Sequence, residues 1–345
     1  MSLPAPPNVF LNLLSALSLQ RVALLLLACL QFSACTSTSN AATTNQVIGS
    51  VAAATLVSDD TLVMPDSEQL PVRIWRPEAN DNRAIVIALH GFNDYSNAFS
   101  EFAPYLAENF AIATYAYDQR GFGDSADRGS WAGVNTYAND LIAITRHVRS
   151  EHPDTPLFVL GVSMGGAVTI VGSNAMTTGL IDGIILSAPA VWARSTMPWY
   201  QRVALFVAEN LLPNWGLTGA SVEVTPSDNI EMLIANGRDP KVIKKTRIEA
   251  ISGLANLMDR AMQESTEMAK PTLLLVGRKD EIIPNYATEE MIETLPANFD
   301  TFGEIKYYDN GYHMLLRDLQ RQVVWDDVTD WIAQRLGEAA NETAD

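Results

Sequence analysis

The sequence offers one strong candidate for covalent chemistry, Gly-Val-Ser-Met-Gly-Gly at 161–166, which follows directly on the apolar run 156–160. The apolar run predicts a buried strand, and the small residues after Ser163 favour a helix. A chain that turns from strand to helix within one residue strains its backbone, and Gly161 and Gly165 remove the side chains that would collide there. The pattern therefore predicts that Ser163 stands at the turn with its hydroxyl free to act as a nucleophile.

A serine hydroxyl is a poor nucleophile near neutral pH, so this chemistry needs a base that takes its proton and a third group that orients the base. The chain has four histidines. His147 and His152 lie near the end of a predicted helix and are expected at the surface, while His90 ends an apolar run and is better placed to shape a loop. His313 lies in a loop just before the last predicted helix and is the expected general base.

The expected acid is Asp280. The apolar run 271–276 predicts a buried strand, and residues 277–284 form the loop that leaves it. Asp280 then lies at the carboxyl end of a strand, where open α/β sheets collect their ligand-binding groups. Glu281 is the alternative, less favoured because its longer side chain fits a tight loop less readily.

Acyl transfer also needs hydrogen-bond donors aimed at the oxygen that becomes negative in the tetrahedral intermediate. The backbone N–H of Met164, at the predicted start of the helix, is one such donor. The second is expected from the loop His90-Gly91-Phe92. The sequence therefore nominates the backbone N–H of Phe92.

Residues 60–337 resemble the α/β-hydrolase superfamily, and within it the monoacylglycerol lipase and lysophospholipase-like branch of the serine aminopeptidase S33 type. Four segments carry the resemblance: 90–92, the Asp-x-Arg-Gly-x-Gly-x-Ser loop at 118–125, 161–166, and the pair 277–284 with 311–313. The resemblance implies a serine hydrolase that cleaves carboxylic esters, usually of fatty acids, through an acyl-enzyme and without a metal or organic cofactor. The order nucleophile, acid, base along the chain also matches this fold. The loop 118–125 is interpreted as scaffolding around the site.

Other functions stay open at this point. The same branch contains peptidases and acyltransferases, and a non-catalytic ligand-binding lipoprotein could retain the fold. Such a binder has no need of Ser163, Asp280 and His313 together, which favours an enzyme. Metal catalysis is set aside because the chain lacks a His-x-x-x-His pair or another cluster with ligand spacing.

The predicted elements agree with an α/β-hydrolase domain over residues 56–338. Short apolar runs alternate with helical patterns, which favours a mostly parallel sheet, eight-stranded by the resemblance and flanked by helices. Residues 61–77 predict an antiparallel hairpin at its edge. The alternation breaks at about 189–270, where the family inserts a helical cap after the sixth strand.

The first part of this predicted cap is rich in aromatic and apolar residues. Trp192, Trp199 and Phe206 are expected to line an acyl-binding tunnel or a lip that contacts lipid. The alternative is that they pack the cap against the body of the domain. A basic patch at 241–247 is interpreted as a solvated helix face rather than a headgroup site.

Composition limits the partners. The formal net charge is −17, which argues against nucleic acid and against electrostatic binding to anionic bilayers. A neutral small lipid or ester is therefore the favoured substrate.

The amino-terminal sequence predicts export. Residues 1–34 have the short apolar core of a signal peptide, and Phe-Ser-Ala-Cys at 32–35 is similar to a bacterial lipobox. Acylation of Cys35 would anchor the chain in the outer membrane, facing the periplasm, with residues 35–55 as a flexible tether. The alternative is cleavage near Ala41 and a soluble periplasmic protein. Residues 339–345 are expected to form a tail.

Mass spectrometry of the mature protein tests the anchor. We expect a diacylglyceryl-modified Cys35 at the amino terminus, and a Cys35→Ser variant that is neither lipidated nor retained in the membrane fraction. An unmodified first residue other than Cys35 would rule the anchor out.

Overall fold

The computed structural model describes residues 47–79, 81–218 and 224–342. Its strands, in chain order, are β1 (Thr55–Ser58), β2 (Thr61–Val63), β3 (Gln69–Trp75), β4 (Ala84–Leu89), β5 (Ile112–Tyr117), β6 (Leu157–Val162), β7 (Gly183–Ser187), β8 (Gly216–Thr218), β9 (Lys245–Arg247), β10 (Thr272–Gly277) and β11 (Gly303–Tyr308). Its helices are α1 (Phe102–Phe110), α2 (Val134–Glu151), α3 (Met164–Asn174), α4 (Trp199–Leu211), α5 (Ile230–Arg238), α6 (Ile248–Glu264), α7 (Asn285–Thr294) and α8 (Arg321–Glu342).

Nine of these strands form one sheet in the order β1-β2-β3-β5-β4-β6-β7-β10-β11. The six strands from β5 to β11 in this order are parallel, and β1, β2 and β3 add an antiparallel edge. Because parallel strands all point the same way, the loops that leave β4, β6, β7, β10 and β11 lie along one edge of the sheet.

Both faces of the sheet are covered, which explains why its strands are apolar throughout. Along β4, Ile85 and Ile87 join a core cluster with residues of α2, α3 and α6, whereas Val86 and Ala88 join a second cluster with residues of α1 and α8. This alternation follows from the two-residue period of a strand.

The predicted fold class is confirmed, with two differences in detail. β1 is an additional strand, so the sheet has nine strands instead of eight and the insertion follows the seventh strand of the chain. The last helix of the predicted cap, α6, is not part of a lid. Its residues Ala255, Leu257 and Ala261 are buried in the main core, so α6 belongs to the helices that cover the sheet.

The described part of the predicted tether is packed and not flexible. Val51 and Ala54 are buried, and the Ala54 N–H donates to the carbonyl of Ala143 in α2 at 2.9 Å, so this stretch packs against the body. The signal peptide, Cys35 and the tether up to residue 46 lie outside the described residues. At the other end α8 runs to Glu342, four residues into the predicted tail, and the described chain ends there. In the described part of the chain, no helix is long and apolar enough to cross a membrane.

Candidate active site

Ser163 lies at the strained turn that the sequence predicts, between β6 and α3. Its φ is 52° and its ψ is −114°, a backbone conformation that a residue with a side chain rarely adopts. The Ser163 N–H donates to the carbonyl of Ser187 at 3.0 Å, and the Ser163 carbonyl accepts from the N–H groups of Ala167 and Ala190. These hydrogen bonds connect the turn to β7, to the residues that follow β7 and to the first turn of α3.

Two glycines make this turn sterically possible. A Cβ added at Gly161 would lie 2.6 Å from the carbonyl carbon of Gly165, and one at Gly165 would lie 2.7 Å from the carbonyl carbon of Leu89. Real side chains do not approach backbone atoms this closely. The close packing of β4, β6 and α3 therefore depends on the absence of both side chains.

The predicted oxyanion loop lies against Ser163. A Cβ at Gly91 would be 3.4 Å from the Cβ of Ser163 and 3.9 Å from its Oγ, so this backbone runs beside the serine. Within the described residues, the N–H groups of Phe92 and Met164 donate to no protein acceptor. Both remain available to a ligand, and the Met164 N–H also lies at the amino terminus of α3, which favours negative charge.

Asp280 is held in one orientation by the loop after β10. Its Oδ1 accepts from the N–H groups of Ile282 at 2.8 Å and Ile283 at 2.9 Å. Its Oδ2 is 2.8 Å from Nδ1 of His313, and both side chains are buried. Glu281, the alternative acid, is exposed and accepts from the N–H of Thr225 at 2.7 Å.

The contact with Asp280 defines the chemistry of His313. A carboxylate only accepts hydrogen bonds, so Nδ1 carries the proton and Nε2 of the neutral imidazole is left as a proton acceptor. The loops that carry the two residues are pressed together at Gly277, where a Cβ would lie 2.7 Å from the carbonyl oxygen of Gly311. This close approach requires a glycine at the end of β10.

The other three histidines are placed as predicted. His90 is fully buried, its Nε2 accepts from the Gln119 N–H at 3.0 Å, and its Nδ1 lies 2.8 Å from the carbonyl of Gly91. Burial lowers the pKa of His90 and thereby favours its neutral form. His147 and His152 are partly exposed at the end of α2. Over the residues that the structure describes, none of the three has the hydrogen bond to a carboxylate that His313 has with Asp280.

The loop 118–125 supports the oxyanion loop, in agreement with its interpretation as scaffolding. Asp118 accepts from the N–H of Ser96 at 2.9 Å and from that of Asp124 at 2.8 Å, and the Gln119 side chain donates to the carbonyl of His90. The ring of Phe122 packs edge-on against the ring of Phe92 at 5.6 Å. These contacts fix the backbone that carries the Phe92 N–H.

The cap aromatics fall into two groups. Trp192 is half-buried and packs against the main core, as the packing alternative predicts. Trp199 and Phe206 lie on α4 with 74% and 67% of their surfaces exposed. A tunnel lining does not fit residues this exposed, whereas a lip does. The other large apolar residues exposed along the same segment, 199–217, are Val203, Val207, Leu211, Leu212, Trp215 and Leu217. We call this surface, with Trp199 and Phe206, the apolar lip.

Three residues of the basic patch are hydrogen-bonded or ion-paired to other parts of the protein, and the patch does not form a solvated helix face. Lys241 forms an ion pair with Asp124, Lys244 donates to the carbonyls of Asp239 and Val242, and Arg247 donates to Ser130. These residues lie in a loop and in β9, not on a helix. The contacts of Lys241 and Arg247 fasten the cap to the loop 118–130.

Several contacts at the site had no sequence signal. The Asn93 side chain, next to Phe92, donates to the Thr246 hydroxyl in β9 at 2.8 Å, and Trp131 packs against Gly253 of α6. The buried carboxylate of Asp318 lies close to His313 in sequence and contacts the cap. Each of these contacts joins distant parts of the chain, so local spacing gives no indication of it. Among the described residues there is no group of three potential metal ligands.

Known proteins are similar to this chain over most of its length. Residues 80–320 match the family model described as serine aminopeptidase, S33. The monoglyceride lipase of Homo sapiens is 26% identical over 284 residues, which cover 81% of this chain and 91% of that protein. The monoacylglycerol lipase of Mycolicibacterium smegmatis is 27% identical over 271 residues, which cover 76% and 92%.

Solved structures show the same fold. The crystal structure of Paleococcus ferrophilus monoacylglycerol lipase superposes with a TM-score of 0.64 at 21% sequence identity, covering 77% of this chain and 99% of that one. A soluble variant of monoglyceride lipase from Saccharomyces cerevisiae, in complex with a substrate analog, gives a TM-score of 0.65 at 18% identity, covering 84% and 97%.

The glycine at 165 provides a direct test of the turn. Gly165→Ala places a methyl group against the backbone of Leu89, so we expect a loss of about 2–3 kcal/mol in the free energy of unfolding, or no soluble protein. Gly237→Ala in α5 is the matched control, because a Cβ there meets nothing within 4 Å and removes chain entropy from the unfolded state. Urea unfolding compares the two, and equal stabilities would contradict the steric account.

Proposed function

The chain belongs to the serine aminopeptidase S33 family, and on that premise we propose that it is a serine hydrolase that cleaves carboxylic esters through an acyl-enzyme on Ser163. The hydrogen bond between Asp280 and His313 carries this proposal. It leaves a proton-accepting nitrogen at the same sheet edge as a serine on a strained turn. A protein that only binds a ligand needs neither feature.

The proposed reaction has two halves. Nε2 of His313 takes the proton of Ser163 as Oγ attacks the ester carbonyl, and the N–H groups of Phe92 and Met164 stabilise the oxyanion. His313 then gives the proton to the departing alcohol, which leaves an acyl group on Ser163. A water molecule, deprotonated by His313, releases the acid and restores the serine. Asp280 orients the imidazole and stabilises its protonated form throughout.

We assign the substrate to neutral lipid esters of the monoacylglycerol or lysophospholipid-like type. The names of the curated relatives, monoglyceride lipase and monoacylglycerol lipase, support this assignment. The net charge of −17 favours a neutral ester over an anionic one. The apolar lip gives an acyl chain or a lipid aggregate an apolar surface to contact on the cap itself.

Labelling by a fluorophosphonate probe and substitution of the two carboxylates in the loop after β10 test the catalytic assignment. Wild type should be labelled, and Ser163→Ala should not. Asp280→Asn keeps the shape of the side chain but disturbs the tautomer of His313, so we expect a loss of about 10⁴-fold in kcat on p-nitrophenyl butyrate.

Glu281→Gln is the matched control for this variant. It changes the neighbouring carboxylate in the same loop and keeps an acceptor for Thr225, so kcat should remain near that of wild type. A folded wild type that resists labelling would favour a binding protein. A larger loss in Glu281→Gln than in Asp280→Asn would assign the acid to Glu281.

The apolar lip predicts a dependence on chain length. Replacing both Trp199 and Phe206 by alanine should lower the hydrolysis of micellar monooleoylglycerol roughly tenfold, because apolar contact with the lipid is lost, and leave p-nitrophenyl acetate unaffected. Both side chains are exposed, so the melting temperature should stay within a few degrees of that of wild type.

Tyr286→Ala is the matched control for the lip, since Tyr286 is 52% exposed on α7, outside the cap. It should leave both activities unchanged. An equal loss on the acetate and on the monooleoylglycerol in the double variant would show that the two aromatics serve only packing.

A further inference from the structure

The loop that carries His313 has no regular secondary structure. Between the end of β11 at Tyr308 and the start of α8 at Arg321, the backbone forms turns. A base must keep one position to accept a proton, because a displacement of about 1 Å can lower a rate about 100-fold. The contacts that anchor this loop therefore bear on catalysis.

Asp318 is the central anchor of the loop. Its side chain is fully buried, and its Oδ2 accepts from the N–H of Tyr312, the residue before His313, at 2.8 Å. Its Oδ1 accepts from the hydroxyl of Ser227 at 2.6 Å. Burial raises the pKa of Asp318, and the hydrogen bonds from Ser227 and Tyr312 oppose that rise. Both oxygens of this buried carboxylate are thus committed to holding two distant segments together.

Ser227 belongs to the cap, and its neighbours extend the same contact. The carbonyl of Pro226 accepts from the N–H of Met314 at 3.1 Å, and Asp228 Oδ1 accepts from the N–H of Leu319 at 2.8 Å. The side chain of Asn229 donates to the carbonyl of Arg317 at 2.9 Å. The cap segment 226–229 therefore runs along 312–319 as a hydrogen-bonded pair of loops, with the Asp318–Ser227 bond at its buried centre.

We propose that Asp318 is a positioning residue for His313, which holds the histidine loop against the cap segment 226–229 so that docking of this segment fixes the imidazole. This inference rests on the proposed function, since His313 needs a fixed position only as a base. Asp318 acts through the backbone of Tyr312 and touches no reacting atom. The cap then influences the chemical step as well as substrate binding.

Replacing the carboxylate tests this role. Asp318→Ala leaves the Tyr312 N–H and the Ser227 hydroxyl without their acceptor, so we expect kcat on p-nitrophenyl butyrate to fall about 10- to 100-fold while KM changes less than about threefold. Asp318→Asn offers an acceptor to Tyr312 and a donor to Ser227, and should restore most of kcat. Ser227→Ala removes the hydrogen bond between Asp318 and the cap and keeps the one between Asp318 and Tyr312. It should lower kcat in the same direction, which keeps the test decisive if Asp318→Ala does not fold.

Asp327→Ala is the matched control. Asp327 lies on α8 and accepts from the hydroxyl of Tyr308 at 2.8 Å. Loss of this hydrogen bond should lower the melting temperature without lowering kcat. A spectroscopic signature adds a second readout. The far-downfield proton resonance of the Nδ1–H of His313 should persist in Asp327→Ala and broaden or disappear in Asp318→Ala.

The outcomes separate the two levels of the proposal. If wild type is labelled by a fluorophosphonate and both Asp318→Ala and Ser227→Ala react at the wild-type rate, the positioning role is wrong and the esterase function stands. If Asp327→Ala loses kcat by the same factor, the effect is general destabilisation and the positioning role is also wrong. An unlabelled wild type would overturn the function and the inference together.

Discussion

The structure depends on one steric constraint, the strained backbone of Ser163. A residue held at φ 52° and ψ −114° costs on the order of 1–3 kcal/mol, which the surrounding structure must offset. Gly161 and Gly165 allow β4, β6 and α3 to close around the turn, and hydrogen bonds from β7 and the helix hold it. The strained turn holds the backbone of Ser163 in one conformation at the edge of the parallel sheet.

The remaining parts of the site are arranged with respect to that turn. Asp280 and His313 come from the loops after two adjacent strands, and Gly277 lets their backbones meet. The cap contacts both of these loops, at Thr225 and at Ser227, and it reaches the oxyanion loop through Asn93. The apolar lip, in contrast, contributes no buried residue from α4. One insertion thus combines a part fastened to the loops that carry Asp280 and His313 with a part exposed to solvent.

The sequence predicted the features that have a local cause. Glycines around Ser163, apolar runs of strand length and the loop at Asp280 each follow from sterics or periodicity within a few residues. The contact between Asp318 and Ser227 joins residues 91 positions apart, and no local spacing reveals it. The packing of α6 into the body also depends on residues that are distant in sequence. The same holds for Ala54, because a stretch of small polar residues is flexible or packed according to what lies beside it in the fold.

The crystal structure of the phosphonylated enzyme tests the central claim most directly, because a fluorophosphonate adduct imitates the tetrahedral intermediate. The account predicts phosphorus bonded to Oγ of Ser163, a phosphonyl oxygen that accepts from the N–H groups of Phe92 and Met164, and Nε2 of His313 within hydrogen-bond distance of the adduct. A phosphonyl group on another side chain, or one whose oxygen faces away from both N–H groups with His313 turned elsewhere, would contradict it.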